Sequence, residues 1–521
     1  MNLISDPWIP VRRANGWKGL VEPWRITDFV QGESPILAVA SPRPDFDGAL
    51  TQFLIGLLQT TCTPKTSDAW WDWRQTPPTP EVLKERFAAV APTFELEGKH
   101  AFMQDAAPAD LTNELEIDAL LIETPGEQTQ EQNKDHFVKR GQVESLCPSC
   151  AAAALFVLQT NAPSGGKGYR TSLRGGGPLT TLVIGATLWE TCWFNVLEET
   201  QYFAGFDSER CGETDRFPWR AKTCTSEAKP PAGITTTADV HPDQQFWATP
   251  RRIRLTFENG EVLASCDLCN AKTSRVVTRF VTRNYGVNYN GFEHPLSPHY
   301  FKDGEANPVH PQPGGIGYRH WLGLVESSKE GNEERRPSKV VQRFRSAIRE
   351  DGRLWAFGFD MDNMKARCWY DATMPLLSVP DGQDGVFKAL AERLVVAANW
   401  VAGVLRGRVK DALLGKSEAR GDLSFVGTYF WSATEPMFYE HARRLRDGLV
   451  TPQAETPVLE SWRSELRHSA LDVFDYYSQA GDFDAIDPRA VAIARNELGK
   501  ALTGRKLRDL LGLPQSARNT P

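Results

Sequence analysis

Two Cys-x-x-Cys pairs, Cys147-Pro148-Ser149-Cys150 and Cys266-Asp267-Leu268-Cys269, constrain this chain more than any other feature. The two residues inside each pair turn the backbone so that both sulfurs face one point. Two such hooks supply the four thiolates of a tetrahedral metal site. The alternatives are two unrelated turns with spare cysteines, or a dithiol redox site. Redox chemistry is disfavoured because neither pair stands in a thioredoxin-like strand-to-helix context. The distance between the pairs matters as much as their chemistry. A zinc finger closes its loop within about a few dozen residues, so a metal here would pin two distant segments of one large domain. Four protein sulfurs leave no open coordination position. The expected ion, zinc being the first choice, is therefore structural.

At 521 residues the chain exceeds what one hydrophobic core supports, and two domains are expected. It is 41% apolar and 24% charged, a composition that folds rather than staying disordered. The remaining cysteines (Cys62, Cys192, Cys211, Cys224, Cys368) bring the total to nine with no regular spacing, which favours a reducing compartment over a disulfide scaffold. The opening Met1–Trp8 has neither a basic nor an apolar signal region, so no secretory signal is expected. Cys150–Leu158 and Leu394–Leu405, the longest apolar stretches, are too short to span a bilayer. A cytoplasmic protein without membrane contact is the expectation. A net charge of −7 argues against a general nucleic-acid coat, yet the positive charge is uneven. Arg251, Arg252 and Arg254 precede Lys272, Arg275, Arg279 and Arg283, and a further run occupies 329–353. Each run alone reads as a solvated face.

The periodicity predicts an α+β chain. Residues 1–380 form a large, irregular, mixed domain holding the four-cysteine knot, 386–512 a four-helix bundle, and 513–521 a flexible tail. Strands are expected at Trp8–Val11, Leu179–Ile184 and Arg252–Phe257. A helix over Asp47–Thr60 places Leu50, Phe53, Leu54, Leu57 and Leu58 on one face, and a second over Glu144–Thr160 carries the first cysteine pair in its opening turn. In the bundle, Val386, Phe387, Leu390, Leu394, Ala397, Ala398, Val401 and Leu405 keep a helical period. Thr434 and Pro436 read as the start of the second helix, ending near Gly448. Leu459, Trp462, Leu466, Ala470, Val473 and Tyr477 mark the third, and Asp487-Pro488 caps a fourth running to about Leu511.

A glycine-rich loop follows the first cysteine pair: Ser164-Gly165-Gly166-Lys167-Gly168, with Arg170, Arg174 and Gly175-Gly176-Gly177 behind it. Glycines allow close backbone approach, and Lys167, Arg170 and Arg174 offer charge to phosphates. No Gly-Lys-Ser/Thr closes it, so it is no nucleotide-hydrolysing loop, and a plain helix-to-strand connector is the competing reading. A basic-aromatic tip, Phe137-Val138-Lys139-Arg140, precedes the first pair, and Arg279–Tyr289 follows the second. A metal joining the pairs would make all three segments radiate from one knot, which points to nucleic acid. Asp360 and Asp362 share a face of an extended strand and offer the alternative of a zinc-stabilised, metal-dependent nuclease, although no third ligand stands nearby. His294, His299 and His310 lack catalytic spacing and read as loop hydrogen-bonders. In the bundle, Arg406, Arg408 and Lys410 on one helix and Arg443, Arg444 and Arg446 on another could together hold a phosphate chain.

Several of these segments, in this order, resemble the CasA family, the large subunit of the type I-E CRISPR complex Cascade. They are Asn2-Leu3 with Trp8-Ile9-Pro10-Val11, Phe102-Met103-Gln104, the cysteine pair after Phe137, Leu173-Arg174-Gly175-Gly176, and His294-Pro295 with Ser297-Pro298. The resemblance implies a non-enzymatic protein that reads the protospacer-adjacent motif (PAM) of double-stranded DNA, helps open the duplex and recruits a helicase–nuclease. Its partners would be the other Cascade subunits, the CRISPR RNA and the target DNA. By the same resemblance, Ser164, Gly165, Gly166, Lys167 and Gly168 lie along the minor groove, with lysine at 167 in place of glycine. Phe137, Val138, Lys139 and Arg140 form the basic-aromatic loop. Asn363, Met364 and Lys365 form a wedge that lacks the family's glutamine, and Arg283 takes the place of a minor-groove lysine.

Overall fold

The computed structural model describes all residues except 127–130, 132–140, 207–211, 229, 231, 363–364, 415–420, 452–453, 480–486 and 515–521. Residues 137–140 and 363–364, singled out above, lie outside the described residues.

The helix Pro44–Thr61 is the axis of the N-terminal body. It is buried on nearly every side rather than along the single stripe that its leucines suggested. Fully buried Phe53 shows why. Its ring meets Trp8, Phe94, Phe102, Phe156 and Trp247 at centroid distances of 5.1–6.0 Å, all edge to face. Such pairs prefer this geometry, so one phenylalanine orders five neighbours drawn from distant parts of the chain. The helix Pro148–Asn161 packs beside it. Its run Ala151–Ala154 is buried and small enough for close approach.

Four antiparallel sheets surround these helices in the described residues. Ile9–Arg13 (β1) lies between Lys18–Val21 (β2) and Ile36–Val39 (β3). Asn113–Glu116 (β4) borders a second sheet, beyond which Thr180–Ile184 (β5) enters a third. The long hairpin Arg252–Ser265 (β6) and Lys272–Arg283 (β7) pairs with β4 in the order β4-β7-β6. Alternate residues Ile253 and Leu255, and opposite them Phe280, face the core, the period expected of strands with one buried face. His299–Lys302 (β8), Glu305–Pro308 (β9), Ser328–Glu330 (β10) and Glu333–Arg336 (β11) form the fourth sheet. Gly352–Asp362 (β12) pairs with β5 on one side and Lys365–Leu376 (β13) on the other.

The C-terminal bundle is built on Asp384–Leu414, against which Ser424–Gly448, Glu455–Gln479, Pro488–Thr503 and Arg505–Leu511 pack. Among the described residues, no helix is long and apolar enough to cross a membrane. Two expectations change. Pro436 lies inside the second helix, not at its start: buried Val426 and Phe430 hold the preceding turns, and Thr434 Oγ1 donates to the Phe430 carbonyl at 2.8 Å. The fourth helix breaks at Gly504, whose extended backbone turns Leu507 and Leu511 into the core.

Body and bundle share one continuous apolar core. Tyr318 of the body stacks on Phe438 at 4.4 Å and meets Trp431 edge-on at 4.9 Å, while its hydroxyl bonds Thr434 Oγ1 at 2.7 Å. Trp321 packs on Phe387, and Arg446 clasps Asp351 at 2.8 Å. Phe438→Ala removes the ring that both body aromatics touch. It is expected to cost about 3–5 kcal/mol in denaturant unfolding. A loss under about 1 kcal/mol would show that this stack does not hold the bundle in place.

Candidate metal centre and nucleic-acid interface

The four sulfurs of Cys147, Cys150, Cys266 and Cys269 lie within 4.8 Å of one another, with Cys147 and Cys269 3.7 Å apart. A tetrahedral thiolate site with metal–sulfur bonds of about 2.3 Å sets its sulfurs about 3.8 Å apart, so the residues fit such an ion. Cys147 is the N-cap of helix Pro148–Asn161, its sulfur accepting from the Cys150 amide. Left to themselves, Cys150 and Cys266 do not titrate alike. Hydrogen bonds from Cys147 and Cys150 hold Cys266 below the usual range, while contact with Cys147 and Cys266, then burial, pushes Cys150 up.

The backbone around the knot is laced independently of any ion. Asp267 accepts from the amides of Glu144 and Ser145, both at 2.8 Å, and its own amide donates to the Ser145 carbonyl. Leu146 and Val277 exchange two hydrogen bonds at 2.9 and 3.0 Å. From that bridge, the 14-residue helix Pro148–Asn161 climbs about 21 Å. Along β7, Val277 to Arg283 spans about 20 Å. The two struts are matched in length, and the segments that leave them are hydrogen-bonded to each other.

They meet at the glycine loop. The Tyr285 amide donates to the Gly168 carbonyl at 2.8 Å, and Asn284 Nδ2 donates to the Lys167 carbonyl at 2.7 Å. Gly168 has φ +81°, and a Cβ there would stand 2.9 Å from the Tyr285 ring, so both conformation and space require glycine. Gly166 differs: a Cβ added there meets nothing within 4 Å. Gly165 is pressed against Tyr169, and Ser164 and Lys167 are exposed. Behind the loop, the Gly177 amide donates to the Asn161 carbonyl, and Gly177 lies against Phe359 and Met361 of β12. The β12–β13 hairpin therefore roots on the base of the loop, with Lys365 exposed at the start of β13.

The cations predicted from sequence divide sharply. Arg283 is half exposed next to the loop and touches Glu227 and the Asp110 carbonyl. Arg170 is spent on Ser226. Arg174 is buried, bonding Thr180, Ser297 and Gln52, and burial pushes its guanidinium down to about 9. It braces the loop and offers no phosphate contact. In the bundle, Arg446 is consumed by Asp351 and Asp447 and Arg408 by Asp411, whereas Arg443 and Arg444 are exposed. The acidic pair is also taken up: Arg367 grips Asp360 at 2.7 and 3.1 Å and reaches Asp362 at 3.5 Å. The only cluster of three or more potential metal ligands among the described residues is the cysteine knot. His294, His299 and His310 are kept below the usual imidazole range, chiefly by burial. Sequence reasoning missed Tyr285, whose positive φ and amide close the loop, because nothing but its place after Arg283-Asn284 marks it.

The family model for CRISPR-associated protein Cse1 matches residues 2–473. The chain belongs to the Cse1 family. The family resemblance drawn from sequence is borne out. Solved structures share the fold. Thermobifida fusca Cse1 is 17% identical with a TM-score of 0.71, covering 99% of both chains. Thermus thermophilus CasA (Cse1) is 17% identical with a TM-score of 0.66, covering 96% of this chain and 99% of that one. A chain of a CRISPR RNA-guided surveillance complex is 15% identical with a TM-score of 0.68, covering 97% and 99%.

One metal ion per chain is expected in this Cse1-family protein. Cys266→Ser, at a fully buried ligand, should abolish it and lower the melting temperature. Elemental analysis of reduced, chelator-free protein checks this, and less than about 0.2 ion per chain would contradict it.

Proposed function

We propose that this protein is the large, non-catalytic subunit of a CRISPR RNA-guided surveillance complex, Cascade, and that it reads the PAM of double-stranded DNA with the loop Ser164–Gly168. The observation that carries the reading is that the segment following Arg283 and the β12–β13 hairpin both pack against the glycine-rich stretch 164–177. Loop backbone and small residues suit the minor groove, where readout separates mainly A·T from G·C. Lys167 and Arg283 flank it with charge for phosphates. The hairpin tip at Asn363, Met364 and Lys365 then acts on duplex opening, at a cost of a few kcal/mol per unstacked step. Phe137, Val138, Lys139 and Arg140 complete the DNA contact. Residues 1–380 carry these contacts, and 386–512 offer surface to the displaced strand and the helicase–nuclease. The knot holds zinc, whose closed four-sulfur shell has a structural role. Arg367 on Asp360 and Asp362 supports the absence of a nuclease centre.

The test uses the complex assembled with guide RNA and partner subunits. Gly166→Phe adds bulk in open space, so the fold should survive, unlike a change at Gly168. Affinity for PAM-bearing duplex should fall about ten-fold or more, with PAM-free duplex nearly unaffected. An equal loss on both would make the loop a general electrostatic contact, and no loss on either would remove it from the interface.

A further inference from the structure

The run Arg251, Arg252, Arg254 looks uniform in sequence, but the fold treats its members differently. Arg252 Nε lies 2.6 Å from Asp105, and Arg254 donates to the Gly98 carbonyl. Arg251 has no carboxylate in ion-pair range among the described residues. Its backbone is clamped both ways by the Gln159 side chain, at 3.0 and 2.9 Å, which fixes it beneath the glycine loop. Nη2 donates to the Pro163 carbonyl, and the guanidinium lies 4.7 Å from the centre of the Tyr169 ring. Nε and Nη1 are buried with no hydrogen-bond partner. Burial pushes the group down to about 10, so it stays charged at neutral pH.

A buried cation with two of its three nitrogens unpaired is a costly arrangement, and native structures keep one where something else supplies the acceptor. The ring of Tyr169 lies over it. Tyr169 is 36% exposed and follows Gly165–Gly168, its amide closing a turn on the Gly166 carbonyl. The ring face supplies a cation–π contact but no lone pair in the plane of the guanidinium. Exposed Lys167 stands two positions away, so an anion drawn to the loop arrives beside the cover.

We propose that Arg251 is a covered phosphate contact: Tyr169 lies over its guanidinium in the free chain, and when the ring turns out, Arg251 takes a backbone phosphate of nucleic acid lying along the loop. This rests on the reading that the loop Ser164–Gly168 contacts duplex DNA. The cover keeps a strong sequence-independent contact from acting until the loop is engaged. Removing it should therefore strengthen binding where no PAM is present.

The experiment measures affinity of the assembled complex for PAM-free duplex against salt. Tyr169→Ala should bind about five-fold more tightly, with the salt slope steeper by about 0.9, one extra phosphate. Arg251→Gln in the Tyr169→Ala background should abolish both gains. Arg251→Lys in that background keeps the charge and should retain the steeper slope, and it serves should the glutamine variant fail to fold. Weaker binding by Tyr169→Ala, or a gain that survives Arg251→Gln, would overturn the proposal. Gly166→Phe separates the two failures. If it leaves PAM-bearing duplex untouched, the loop reading itself falls and Arg251 with it. If it weakens that duplex while the Tyr169 effect ignores Arg251, only the covered contact falls.

Discussion

The bridge between Leu146 and Val277 is the constraint on which the frame around the glycine loop depends. It joins the two cysteine hooks to two struts, a helix and a strand, whose different rises per residue yield the same length of about 20 Å. At the near end stands the four-sulfur cluster; at the far end the Tyr285 amide bonds the Gly168 carbonyl at 2.8 Å. A glycine-rich loop is entropically costly to hold in one shape. Here it is held from outside itself, by partners that the knot positions.

Positive charge in the body is distributed by the same frame. Arginines behind the loop are bonded into the protein: Arg170 to Ser226, Arg174 to Gln52 and Thr180, Arg252 to Asp105. Lys167 and Arg283 are left toward solvent in the two segments that are bonded together at the loop. A chain of net negative charge can still carry a local cationic face.

The parts legible in sequence were those set by local chemistry. Cys-x-x-Cys spacing announced the knot and the apolar period the bundle, while the helix expected from Glu144 begins at Pro148. What failed was decided by tertiary partners. Thr434 and Pro436 imitate a helix start, yet buried Val426 and Phe430 extend that helix upstream. Arg174 sits among glycines as a phosphate ligand would, but Gln52 and Ser297, distant in the chain, bury it. Arg251 differs from Arg252 and Arg254 only through Tyr169 and Gln159, which no window around residue 251 contains. Asp360 and Asp362 looked available because Arg367, across the hairpin, could not be seen to reach both.

Amide hydrogen exchange on zinc-loaded and on chelator-treated protein tests most directly whether the knot positions the loop. Leu146, Val277, Tyr169 and Tyr285 each donate an amide to a bond of the frame or the loop turn. The account predicts that stripping the ion lowers protection at all four together, as one cooperative unit. Loss of protection at Leu146 and Val277 with Tyr169 and Tyr285 unchanged would contradict it, showing that the loop keeps its shape without the knot.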